Sequence, residues 1–191
     1  MITRRAVALL VLAACSGPSL AQNELLKRMT GTWDVQQRMW PGPKAEPVVL
    51  PAAIAERRLI RDLYLEEVMH PLDVGPEGPE QTASFMRHAF LNYNAVTSRY
   101  EYGSLDTRAS QLMVEQSAPI EPTADTPELK LQGSSFLAPA WGNAKNVRFN
   151  YRLTIGEIKQ NQQVVRLFLL PRTVLPRIEF LAFEYVYTKR Q

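Results

Sequence analysis

The chain has 191 residues, 46% of them hydrophobic and 21% charged, which is enough to enclose one core and sets a single domain as the expectation. Its formal charge of +3 includes Arg4 and Arg5, which fall in a segment with the layout of a removable signal; without them 20 basic residues face 19 acidic ones. No basic stripe remains, so nucleic acid is set aside as a partner.

Residues 1–21 combine that positive start with an apolar stretch from Ala6 to Ala14 and small residues at Ser19 and Ala21. This is the pattern of a secretory signal, too short to serve as a mature membrane span. Two cleavage points are open. One follows Ala21, leaving a single domain over 22–191. The other precedes Cys15, because Leu12-Ala13-Ala14-Cys15 resembles the box at which bacterial lipoproteins are cut and lipidated. The expected location is therefore the periplasm, or the outer membrane of a Gram-negative envelope through a lipid on Cys15. Cys15 is the single cysteine, so no intrachain disulfide is available and packing and strand pairing must hold the fold.

Next, Asn23 is placed to cap a short helix carrying Leu25, Leu26 and Met29 on one face, as a plug for one barrel end. Thr32 to Met39 alternates, with Trp33, Val35 and Met39 on one side and Asp34, Gln36 and Arg38 on the other, the mark of a half-buried strand. Pro41, Pro43, Pro47 and Pro51 then make residues 41–51 a loop or a poorly paired edge. Ala53 to Ile60 and Leu63 to His70 read as a hairpin turning at Arg61-Asp62. A two-residue turn would set Arg57 opposite Glu66 on the outer face and leave Glu67 inside with Leu63, Leu65 and Met69. Residues 71–80 are a Pro- and Gly-rich loop.

Thr82 to Tyr93 is the next strand, with Met86, His88 and Phe90 on one face. Ser98 to Leu105 follows, with Tyr100 and Tyr102 together, then Ala109 to Gln116 and Glu128 to Phe136, a turn at Trp141-Gly142-Asn143, and Val147 to Ile155. The last of these alternates most clearly, Val147, Phe149, Tyr151, Leu153 and Ile155 against Asn146, Arg148, Asn150, Arg152 and Thr154. Val164 to Leu170 and Ile178 to Lys189 complete about ten strands. In the last, Leu181, Phe183, Tyr185 and Tyr187 share one face, and Phe180, Ala182 and Val186 make the other apolar too, so that something should cover its outside. With no long helix, repeat or βαβ alternation, an all-β antiparallel barrel with a short N-terminal helix plug fits best, and a β-sandwich is the alternative.

Gly31-Thr32-Trp33-Asp34-Val35, Met39-Trp40-Pro41-Gly42-Pro43, Ala55-Glu56-Arg57-Arg58-Leu59-Ile60 ahead of Leu65-Glu66-Glu67, Asn92-Tyr93-Asn94, Tyr100 to Asp106 and the terminal Tyr187-Thr188-Lys189-Arg190 resemble a bacterial family of exported, lipocalin-like proteins. It is the domain-of-unknown-function family fifteen seventy-nine. The likeness departs at Arg61-Asp62, where the family has a Gly, at Asn94, where it has an Asp, and in longer Pro-rich loops. The resemblance implies a calycin-type barrel and brings no reaction. Calycins share a Gly-x-Trp covered by a late basic residue, which makes Trp33, with Lys189 or Arg190 over its indole, a structural barrel closure.

No serine elbow, P-loop, dinucleotide fingerprint or metal-type spacing is present, and no cofactor is implied. A catalytic reading therefore has little to stand on; what remains of it would centre on His88 or Glu67. The cavity candidates are Glu67, Met86, His88, Phe90, Tyr100, Tyr102, Phe149, Tyr151 and Tyr185, apolar walls with sparse polar anchors, set against the alternative of a solid core. The expectation is an envelope barrel that binds a small apolar or amphipathic molecule entering away from Trp33. The alternative is a non-catalytic interaction protein that docks through its last strand.

Overall fold

The computed structural model describes residues 20–72, 85–123, 126–141, 143–175 and 177–191. Residues 1–19, which include Cys15 and most of the expected signal, and most of the Pro-rich loop after Pro71 lie outside these. The elements are α1 (Leu20–Arg28), β1 (Gly31–Met39), β2 (Val48–Ile60), β3 (Tyr64–Pro71), β4 (Arg87–Asn94), β5 (Arg99–Asp106), β6 (Ala109–Ser117), β7 (Glu128–Trp141), β8 (Ala144–Gly156), β9 (Gln162–Pro171) and β10 (Phe180–Lys189). Each strand pairs with its sequence neighbour, and β1 pairs with β10, giving a closed antiparallel barrel in place of a sandwich. Closure leaves no row of unpaired backbone groups along an edge.

The seam runs from Trp33 opposite Lys189 to Met39 opposite Phe183. The α1 end is shut by Leu25, Leu26 and Met29, all buried, and by the Trp33 indole, whose Nε1 donates to the Met29 carbonyl at 3.1 Å. Asn23 sits inside α1, not at its start, so it is not the cap. Lys189 lies over Trp33, Nζ 5.4 Å from the ring, whereas Arg190 turns outward to Asp34 at 2.7 Å. Gly31 is required here: its φ is +113°, and a Cβ would lie 2.8 Å from Lys189 Cε.

Four departures from the expected strand phases share one cause, the period-2 alternation of side chains. A slip of a single residue moves a side chain to the other face. First, β2 begins at Val48 and runs through Pro51. The ladder with β1 shifts between Val35 and Gln37, and Pro51, which has no N–H to donate, sits in that bulge.

Second, the β2–β3 turn holds three residues. Ile60 pairs with Tyr64, Arg61 and Asp62 take positive φ of 51° and 56°, and Leu63 belongs to the turn. Arg57 therefore pairs with Glu67, not Glu66, and lies inside, while Arg58 takes Glu66 on the outside.

Third, β4 presents Arg87, Ala89 and Leu91 inward. The side chains of Met86 (53% exposed) and Phe90 (38%) point outward with His88, and of the three only Phe90 borders the interior void. Fourth, β10 is bulged at Ala182, between the Leu181 and Phe183 pairs, and this reverses its faces part way along. Phe180 is turned inward, 6.2 Å from Trp141, with Ala182, Tyr185 and Tyr187 also inside, while Leu181, Phe183 and Val186 stay half-buried on the other side. Phe180 thus offers no outer docking surface.

Candidate functional site

The interior of the barrel holds a chain of charged side chains. Arg57, Glu67 and Arg87 are 7%, 5% and 6% exposed, from β2, β3 and β4 respectively. Arg57 Nε and Nη2 reach Glu67 Oε2 at 2.7 and 2.6 Å, and its Nη1 donates to Gln163 Oε1 of β9. The guanidinium lies 4.1 Å from the Tyr187 ring centroid, and the Tyr187 hydroxyl donates to Glu67 Oε1 at 3.4 Å. Burial alone would raise the Glu67 pKa, but Arg57 and Arg87 more than offset it and hold the carboxyl below its ordinary value. Glu67 is an ionised carboxylate pinned between cations, a poor general base.

Arg87 is differently placed. Its Nη2 donates to the Tyr102 hydroxyl and its guanidinium stands 5.1 Å from the Tyr185 ring, but Nη1 is 3.9 Å from Glu67 Oε1, beyond hydrogen-bond reach. Among the described residues that nitrogen has no partner. Glu115 of β6, opposite Tyr102 in the ladder, is buried and lifted to about 8 by burial, with Arg87 pulling the other way; its Oε2 is also without a partner. Toward the mouth opposite α1, Arg108 closes on Asp106 at 2.7 Å, donates to Gln37 Oε1 at 3.1 Å and covers the Phe85 ring.

Arg57, Glu67, Arg87, Tyr102 and Tyr187 border a void of about 20 Å³ whose other walls include Leu65, Ala89, Leu91, Ile155 and Val165. That is room for a water or two, and a larger occupant displaces side chains. A second depression, an open trough of about 420 Å³, lies on the outer face between Tyr64, Phe90 and Val114, over Gly103.

Of the expected cavity residues, Glu67, Tyr102 and Tyr185 meet in this cluster. Tyr100 is buried against Tyr93, 5.2 Å between centroids. Phe149 and Tyr151 pack with Phe136 in the solid part of the core, and the Tyr151 hydroxyl donates to the Val114 carbonyl at 3.2 Å. His88 stacks on Phe90 outside the barrel and contacts Glu66 at 2.9 Å. Sequence reading missed Arg57, Arg87, Glu115, Gln163 and Gln37 as interior groups. The available signal was Arg87 in step with Phe85, Ala89 and Leu91, but it competes with an equally apolar opposite face. Among the described residues no cluster of His, Cys, Asp and Glu is arranged to hold a metal ion.

No protein-family model matches the chain, and no curated protein matches it significantly.

Proposed function

We propose that this chain is an exported binding barrel that takes a small, partly apolar molecule into its interior from the mouth opposite α1. The observation that carries the reading is the buried Arg57, Glu67, Arg87, Tyr102 and Tyr187 group bordering a void with apolar walls. A binding site of this kind is mostly apolar with a few convergent polar anchors that orient the ligand. The resemblance to the exported lipocalin-like family and the signal pattern of residues 1–21 support the placement in the envelope. Mass spectrometry of organic extracts from protein purified out of the envelope is expected to return a recurring small molecule. Repeated extracts with none would count against the reading. Intact mass of the same material reports the cleavage site and any lipid on Cys15.

A second reading, a non-catalytic envelope interaction protein, has one observation in its favour, and it moves the docking face off the last strand. Met86, Phe90, Leu105, Leu112 and Val114 are exposed on the outer face of β4–β6. A chain that stays monomeric and recovers no partner on crosslinking in envelopes would rule it out.

A further inference from the structure

We infer that the interior site, read as a ligand site on the proposal above, is built for an anionic head group of the monocarboxylate class, held by Arg87.

The argument begins with charge. Arg57 and Glu67 form a closed pair, with two guanidinium nitrogens on one carboxylate oxygen. Arg108 and Asp106 form another at the mouth. Arg87 lies between the two pairs. The groups that face it are Glu67 from β3, Tyr102 and the ladder partner of Arg87, Asp106, from β5, Glu115 from β6, Tyr185 and Tyr187 from β10, and the cations Arg57 and Arg108. Glu67 is already engaged by Arg57, and Glu115, lifted to about 8 by burial, carries a proton at neutral pH. Three guanidinium groups thus face two carboxylates, and the surplus positive charge falls on Arg87, only 6% exposed and with no carboxylate oxygen nearer than Glu67 Oε1 at 3.9 Å among the described residues.

A buried cation without a partner is costly, and its desolvation is offset when an anion reaches it. Geometry locates that anion. Arg87 Nη2 is occupied by Tyr102, whereas Nη1 is unpartnered and Arg87 lines the void. A single negative charge matches the single surplus. A planar carboxylate presents acceptors to a guanidinium edge, and the Tyr102 and Tyr187 hydroxyls stand beside it. A phosphate dianion would exceed the surplus charge and set a second negative charge against Glu67. The apolar walls from Leu65, Leu91 and Ile155 then suit the ligand's hydrocarbon part.

The test uses the full mature chain, octanoate and the isosteric neutral octanamide, with affinities from isothermal titration calorimetry at pH 7. Octanoate is expected to bind at least tenfold more tightly than octanamide. Arg87→Met is expected to abolish that preference, bringing the two affinities within about twofold of each other. Equal affinities would overturn the anionic head group and leave the binding-barrel reading intact. No binding of either probe would overturn both. A preference for octanoate that survives in a folded Arg87→Met chain would overturn the assignment to Arg87. If Arg87→Met does not fold, Glu115→Gln decides: fixing that group neutral should retain the preference at pH 9, where the ionised Glu115 of the unaltered chain weakens it. Identical weakening in both chains would overturn the inference.

Discussion

At Glu67 and Glu115 the same interior treats two glutamates in opposite ways. Glu67 has Arg57 on one oxygen and the Tyr187 hydroxyl near the other, so it stays charged. Glu115 has burial and no hydrogen-bond partner among the described residues, so it stays neutral. Removing the charge of Glu67 leaves two buried guanidinium groups uncompensated. Glu67→Gln is therefore expected to cost about 3–5 kcal/mol in urea unfolding, more than Glu66→Gln, whose exposed partners Arg58 and His88 can turn to water. The pH dependence follows from the two directions. The stabilisation from Glu67 is present above its unfolded pKa and is lost as pH falls through its lowered folded value. For Glu115 the folded chain holds a proton that the unfolded chain releases, so stability falls as pH rises from the ordinary 4.5 toward about 8. Glu115→Gln is expected to flatten the decline of melting temperature across that window and to raise stability at pH 8, by order of a few kcal/mol.

Among the strands, bulges and tight approaches set which side chains meet. Gly133 lies in the β7 bulge opposite Tyr151, where the ladder shifts between Gln132 and Ser135. The Tyr151 ring lies over Gly133, and a Cβ there would fall 2.1 Å from its Cζ. Gly133→Ala is expected to destabilise by about 1–3 kcal/mol and to break the Tyr151 bond to Val114, visible as a change in near-ultraviolet circular dichroism. Strand β4 has two equally apolar faces, with Arg87 inside and Phe90 outside, and β6 is inverted, with Glu115 inside and Leu112 and Val114 outside. Leu112→Thr and Val114→Thr are accordingly expected to change stability by no more than about 0.5 kcal/mol, since neither removes a packed contact. These patterns also explain why the interior charges of β4 and β6 were not legible. Hydrophobic alternation normally tells which face is dry; in β4 it favours neither face, and in β6 it points the wrong way. In β8 the pattern agrees with burial, and Val147, Phe149, Tyr151, Leu153 and Ile155 all lie inside as read.

For the whole molecule, closure at one end by α1 and at the seam by β1 and β10 makes the barrel a single cooperative unit. Leu25 and Leu26 are fully buried in the shared core, so Leu25→Ala and Leu26→Ala are each expected to cost about 2–5 kcal/mol in global unfolding, not a local fraying of α1. The sequence by itself determined the run of antiparallel strands and the helix plug, which rest on local information: a period of two and a short amphipathic turn. It left barrel and sandwich both open, and the Trp33 closure was implied by the resemblance to calycins. Tertiary structure decided the site. A three-residue turn at Arg61, Asp62 and Leu63 moved Arg57 from the outer surface to a buried pair with Glu67, and the phase of β4 placed Arg87 inside while His88 went out. The physical reason is that strand periodicity names two faces without saying which is inside. Register, set by turn length and bulges across neighbouring strands, makes that choice.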